Sequence, residues 1–359
     1  MSSGLESTKE AALARFEQAL ATVASTAEQL DRQPRFPAEA FRALAAAGAL
    51  EATIGAARAG ESVRAEWTLL RGVAAADASV GRILDGHLNA VERLEVSAPP
   101  DLRERELERL RGGGRLLGVW GADPGRGEGE PARLRGSGSD LRLSGAKTFC
   151  SGAGGVDAAL VMVGSDEGEP PRLVLVECEE VEIDRDWYRA AGLRASESHR
   201  VVFHDAPVTA VLGEPGELGR EPWFSRDAMR TAASWIGMFD AAAESALAEL
   251  TRARAADPVG QLAAGRIEAL GGTIEAWFAR GVEAADRRAE LKPTAIAMRA
   301  EIDRAAKALL ESAASACGSH PFVTGGRLDR ARRDLETFLL QHRLDPLLTR
   351  LGAERLRGT

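Results

Sequence analysis

Apolar and polar positions alternate in three textures along the chain. Leu5 to Leu30 keeps apolar residues at helical spacing. Pro37 stands where a first-turn proline starts a second helix, which runs to about Ala47 and stops at Gly48. A third helix is predicted from Val63 to Leu84 or beyond, with Trp67, Leu70, Val73 and Ala74 on one face. A short charged helix fits Asp101 to Leu110, and Gly112, Gly113 and Gly114 then break the pattern.

From Arg115 to about Leu212 the period shortens to that of strands. Arg115 to Trp120, Ala158 to Val163, Leu173 to Val176 and Arg200 to Phe203 are short apolar runs, and Leu141 to Ser144 alternates as a half-buried strand does. Clusters such as Pro124-Gly125, Gly136-Ser137-Gly138 and Pro170-Pro171 separate them. This spacing predicts a compact β-barrel or sandwich. Helical texture returns after Glu221. Trp223 to Ala256, Leu262 to Glu290, Thr294 to Ala316 and Leu328 to Leu340 read as helices, punctuated by Asp257-Pro258 and Lys292-Pro293. The expected fold class is therefore α+β: an all-α N-terminal domain over residues 1–112, a middle β-domain over 113–215, and an antiparallel helical bundle over 216–359.

The composition narrows what such a chain does. Its 359 residues exceed one small core, and 45% hydrophobic with 28% charged is ordinary for a globular protein. A formal charge of -8 argues against non-specific nucleic-acid binding, which needs a cationic surface. Cys150, Cys178 and Cys317 are odd in number and far apart, which supports neither a disulfide framework nor a zinc site. Histidine and carboxylate spacings give no metal motif. No signal peptide and no membrane-length apolar run is seen, so the expected location is cytoplasmic, without membrane contact.

Three stretches resemble the acyl-CoA dehydrogenase superfamily, and the order helices, strands, helices agrees with its fold. Gly192 to Val208, in which serines precede the alternating Arg200-Val201-Val202-Phe203, is similar to the family's late β-domain signature GxRxSxxxxVxFxxVxV. Leu143 to Ala153 is similar to its LxGxKxWITNA segment. Val119 to Gly125, including Trp120, Gly121 and Ala122, resembles its VTEPGAGSD loop, with Asp123-Pro124-Gly125 for Glu-Pro-Gly. The resemblance implies a flavin, FAD or alternatively FMN, held by Trp120, Gly121, Ala122, Phe149, Cys150 and Ser151. It places the Phe149 ring on the isoalloxazine and the Ser151 hydroxyl at flavin N5. A hydroxyl can both donate and accept, which suits either redox state of N5. Cys150 between them has nothing basic beside it in sequence and reads as a packed small residue. Lys147 reads as a solvated strand charge.

Departures from the family pattern matter as much. The hydroxyl of the flavin-binding loop falls on Ala122, and its serine falls near Glu128, an anion where a phosphate neighbour is expected. The family's diphosphate-binding arginine has Arg254 as its counterpart, beside the reading of a solvated helix-end charge. Arg333 to His342 resembles the segment that carries the family's catalytic glutamate, and His342 falls on that position. His342 then acts as the catalytic base or, alternatively, is a capping or surface group. His199, His204 and His320 have no such register and read as structural. Flavin monooxygenases of the same fold are similar at Asp257-Pro258, at Arg330 to His342, and at Ala76 to Gly81 followed by His87.

Three functions follow. The first is oxidation of an acyl thioester or similar small substrate at a CH–CH bond, with an electron-transfer flavoprotein as electron acceptor. The second is a two-component flavin-dependent monooxygenase fed by a flavin reductase, with His342 at the usual base position. The third is a non-catalytic, flavin-free paralogue that acts as a binding protein. The resemblance also implies a homodimer or homotetramer.

Overall fold

A computed structural model describes residues 2–164, 169–323, 325–341 and 343–358. The N-terminal helices are α1 (Ser2–Arg32), α2 (Ala38–Ala46), α3 (Ala56–Ala59), α4 (Arg64–Ala76), α5 (Ala78–Ser97) and α6 (Pro100–Leu110). The strands are β1 (Leu117–Trp120), β2 (Arg133–Arg135), β3 (Arg142–Cys150), β4 (Ala158–Val163), β5 (Arg172–Glu177), β6 (Glu182–Asp184), β7 (His199–Pro207) and β8 (Ala210–Leu212). The C-terminal helices are α7 (Trp223–Arg254), α8 (Pro258–Arg287), α9 (Leu291–Cys317), α10 (His320–Val323), α11 (Arg327–Leu339) and α12 (Asp345–Arg357). The α+β order expected from the texture is the observed one.

The long third helix is a correction. It is two helices, α4 and α5, separated by Asp77 in extended conformation (φ -154°, ψ 122°). The Asp77 carboxylate accepts the Val80 N–H at 2.9 Å, and its carbonyl accepts the Gly81 N–H. An aspartate that caps the following turn offers the backbone an alternative to an uninterrupted helix, and apolar periodicity does not register it.

Contacts group the chain into two compact units that do not follow chain order. The first comprises Met1–Glu61, Arg82–Arg189 and Arg194–Phe224. It contains two four-stranded sheets, ordered β1-β4-β5-β8 and β2-β3-β7-β6, antiparallel except for the β1/β4 pair. One face of the first sheet is dry: Leu117, Leu160, Leu173, Leu175 and Leu212 pack on Val91, Leu94 and Leu110 of α5 and α6. The fully buried His87 joins α5 to this sheet. Its Nδ1 accepts the Leu117 N–H at 3.0 Å, so its Nε2–H donates to the Leu50 carbonyl at 2.9 Å.

The second unit comprises Ser62–Gly81, Ala190–Leu193 and Ser225–Thr359. Its core is helical, built on Trp67, Trp235, Phe239, Phe278, Ile302, Leu309 and Phe338. Buried charges here are paired: Arg230 meets Glu66 and Asp227, and Arg71 meets Asp240 at 2.6 Å. Helix α8 starts at the Asp257-Pro258 break, four residues before Leu262. Pro258 fills its first turn, and the Asp257 carboxylate accepts the Val259 N–H at 3.0 Å. No described helix is long and apolar enough to cross a membrane.

Candidate functional site

The residues nominated around the flavin-like motifs come together within the first unit, on β3 and the loop after β1. Strand β3 pairs with β7 in register from Gly145 to Lys147, pairs again at Cys150 and His199, and is irregular in between. Phe149 sits in that gap with φ 51°, in the left-handed region that non-glycine residues avoid. Such an irregularity re-aims a side chain. Lys147, Thr148 and Cys150 are buried, whereas Phe149 is 55% exposed. The Trp187 ring meets it edge-on, with centroids 4.9 Å apart.

The loop after β1 is fixed to this strand. Thr148 donates its N–H to the Ala122 carbonyl at 3.0 Å and its hydroxyl to the Asp123 carbonyl at 3.1 Å. Lys147 donates to the Asp123 carboxylate at 2.7 Å and to the Gly121 carbonyl at 3.3 Å. Lys147 is therefore not a solvated charge: its side chain is 1% exposed and secures the loop. The reading as a solvated charge rested on residue type, and the Asp123 and Gly121 partners that allow burial come from a loop more than twenty residues away. Trp120 is buried, and its Nε1–H donates to the Ser151 carbonyl at 3.2 Å. Its ring packs inside, so it supports the site from behind. Gly121 and Ala122 lie nearer the surface. Burial pushes the Cys150 thiol well above its ordinary range, so it is no nucleophile.

Ser151 is the inner end of a row of hydroxyls. Its Oγ is 2.9 Å from the Ser198 Oγ, which is 2.8 Å from the Ser196 Oγ, which donates to the Tyr188 hydroxyl at 3.5 Å. The sequence reading quoted Ser196 and Ser198 inside a motif but gave them no role, and it missed Trp187 and Tyr188. No spacing rule announces them, because β3, β7 and the segment before Gly192 meet only in the fold. Beside this row lies His199, buried, with neither ring nitrogen hydrogen-bonded among the described residues. The Glu197 carboxylate is 3.5 Å from it and also pairs with Arg185 at 2.6 Å. Burial alone raises the Glu197 carboxyl, but His199 and Arg185 outweigh it and hold it below its ordinary value.

The outer loop carries its own anion. The Glu128 carboxylate accepts the Gly125 N–H at 2.7 Å and the Trp187 indole N–H at 3.2 Å. The Gly125 donor that a phosphate would use is thereby taken by the chain itself. In the second unit, Arg254 is half-exposed and pairs with Asp257 at 2.7 Å. His342 lies outside the described residues. Among the described residues, no three His, Cys, Asp or Glu side chains form a group that could hold a metal ion.

No protein-family model matches the chain, and no curated protein matches it. Solved structures do. FMN-bound TdsC from Paenibacillus sp. A11-2 is similar over 97% of this chain and 98% of its own, with a TM-score of 0.84 and 20% identity. KijD3 in complex with FMN and a dTDP-linked amino-keto sugar is similar over 97% and 93%, with a TM-score of 0.82 and 23% identity. Methanesulfinate monooxygenase MsuC from Pseudomonas fluorescens is similar over 97% of both chains, with a TM-score of 0.82 and 19% identity. At these identities the likeness establishes the fold, which is acyl-CoA dehydrogenase-like.

Proposed function

We propose that this protein is a flavin-dependent monooxygenase that uses FMN. The observation that carries the reading is the Phe149–Ser151 corner: an exposed aromatic ring, turned outward at a strand irregularity, beside a hydroxyl backed by buried groups. A planar ring laid on Phe149 gains apolar contact, and the Ser151 hydroxyl serves a ring nitrogen as donor or acceptor. The fold neighbours described as FMN-bound or as monooxygenases support this branch over the dehydrogenase one. So does His342, which stands in sequence where the dehydrogenases keep glutamate.

Glu128 supports the mononucleotide. Its carboxylate occupies the Gly125 donor, which fits poorly with the pyrophosphate of a dinucleotide. When bound in reduced form, the flavin supplies the electrons with which oxygen is activated. The chain's part is to seat the ring against Phe149 and to hold Ser151 in place. A flavin reductase is the partner this chemistry requires, and the substrate is a small molecule. Assembly as a homodimer or homotetramer belongs to the same reading.

The test is titration of the purified protein with FMN and FAD, oxidised and reduced. One FMN per chain, bound more tightly than FAD, is expected, and the reduced complex should consume oxygen. Addition of acyl thioesters to the oxidised complex without oxygen should leave the flavin colour unchanged. Bleaching there would establish the dehydrogenase reading instead. No binding of either flavin in either state would leave the flavin-free binding protein.

A further inference from the structure

We propose that Ser198, Ser196 and Tyr188 form a proton path that connects the Ser151 hydroxyl with the protein surface. The inference rests on the flavin reading above only for what stands at the inner end, the ring nitrogen served by Ser151. The path itself stands on geometry. Three serine hydroxyls lie in sequence at 2.9 and 2.8 Å, and the last donates at 3.5 Å to a phenol. All three serines are buried, whereas Tyr188 is partly exposed. An aligned row of hydroxyls is an unusual thing to bury: side-chain to side-chain bonds are a small minority of protein hydrogen bonds.

Each member is a donor and an acceptor at once, and this is what conduction needs. In the outward polarity Ser151 donates to Ser198, Ser198 to Ser196, and Ser196 to Tyr188. When Ser151 receives a proton at its inner side, each hydroxyl passes its own to the next, and the Tyr188 oxygen releases one outward. One proton enters and one leaves, so no group ends charged. Reversing every donor returns a proton inward by the same route. The Ser196–Tyr188 contact, 3.5 Å between two hydroxyls, accommodates either polarity.

Both ends of this row are held in place. The Ser151 main chain is held by the Trp120 indole on its carbonyl and by the Phe149 carbonyl on its N–H. The Tyr188 ring is edge-on to buried His199, with centroids 6.2 Å apart. Ser198, Ser196 and Tyr188 act through Ser151 and are positioning residues for it. The phenol is the only tyrosine of the chain, so its removal is unambiguous.

The experiment uses the full chain loaded with FMN labelled with nitrogen-15 at N5, reduced without oxygen. Exchange of the N5–H with deuterated solvent is followed by nuclear magnetic resonance, together with FMN affinity. Ser198→Ala and Tyr188→Phe are each expected to slow exchange roughly 10-fold or more, a modest part of what a positioned proton-transfer group contributes. Ser198→Thr should keep the wild-type rate, and the double variant should be no slower than the slower single one, because both lie on one path. FMN affinity should stay within about 3-fold, a change under 1 kcal/mol. Unchanged exchange in Tyr188→Phe, with FMN bound, overturns the path, and this variant decides alone if Ser198→Ala does not fold. Failure of the wild-type protein to bind flavin overturns the functional reading and this path with it. Slowed exchange matched by an equal loss of affinity would show a packing role and also overturn the path.

Discussion

Lys147 on β3 and Arg254 at the end of α7 each pair with an aspartate at 2.7 Å, in opposite surroundings. The Lys147 side chain is 1% exposed and bonds a backbone carbonyl as well, whereas 43% of the Arg254 side chain faces solvent and its aspartate caps a helix. A buried ammonium has given up its water and depends on the partners the fold supplies. An exposed guanidinium has water in reserve, and its pair contributes little. Length alone therefore says nothing about what a pair does. Lys147 holds the Gly121–Asp123 loop against the strand that carries Phe149 and Ser151; Arg254 closes a helix junction.

The sharpest way to break this contrast is Lys147→Ala. Truncation leaves a cavity under the loop and strips Asp123 and the Gly121 carbonyl of their donor. A loss of about 3 kcal/mol is expected by denaturant unfolding, discounted from the full cost of breaking a buried pair because Asp123 is half-exposed. FMN affinity should fall with it, since the loop beside Phe149 is released. A loss below about 0.5 kcal/mol, the scale of a surface substitution, would put Lys147 in the same class as Arg254.

The contrast sharpens with the buried His87, whose two ring nitrogens are both satisfied in the neutral form. Burial lowers its pKa to about 4, against about 6.5 for an unfolded histidine. Between those values the unfolded chain binds the proton and the folded chain does not. Stability from this group is thus complete above about pH 6.5 and is lost as pH falls toward 4. Integrated to pH 5, the loss is about 2 kcal/mol. His87→Gln should flatten the acid limb of the stability–pH curve by that amount. An unchanged acid limb would show that His87 titrates alike in both states.

What was legible in the sequence divides along the same line. Periodicity found the helix–strand–helix order, and Asp257-Pro258 placed the start of α8, because both are local signals. The same Asp-Pro signal at Asp345-Pro346 opens α12, which periodicity did not mark, its apolar residues being mostly exposed. Phe149 and Ser151 could be quoted as one motif because they lie within a few positions at the end of β3. Burial of Lys147 was not legible, because the partners that compensate its charge lie on the loop after β1. The row from Ser151 to Tyr188 joins the turn after β3, the turn before β7 and the segment after β6. Only strand pairing brings these together, and no period in a sequence records pairing.

The smallest effect expected is that of Arg254→Gln, and it separates two roles for this residue. If Arg254 only closes the α7–α8 junction, the variant loses an exposed ion pair with Asp257 while the Asp257 carboxylate still accepts the Val259 N–H. Stability should then change by no more than about 0.5 kcal/mol, and less as salt is raised, because exposed pairs are weak and screened. Flavin affinity should also be unchanged. If Arg254 instead carries the phosphate-binding role of its counterpart in the resembling family, stability stays the same but affinity drops. A lost charge-assisted contact of about 1.5–3 kcal/mol corresponds to roughly 10- to 100-fold in dissociation constant. The drop should be larger for FAD than for FMN if the contact is to a diphosphate. Titration of wild type and variant with both flavins at two salt concentrations gives the affinities to compare. Equal affinities for the two proteins would confine Arg254 to the helix junction, and the half of the flavin site outside the Phe149 corner would then have to be sought on other residues.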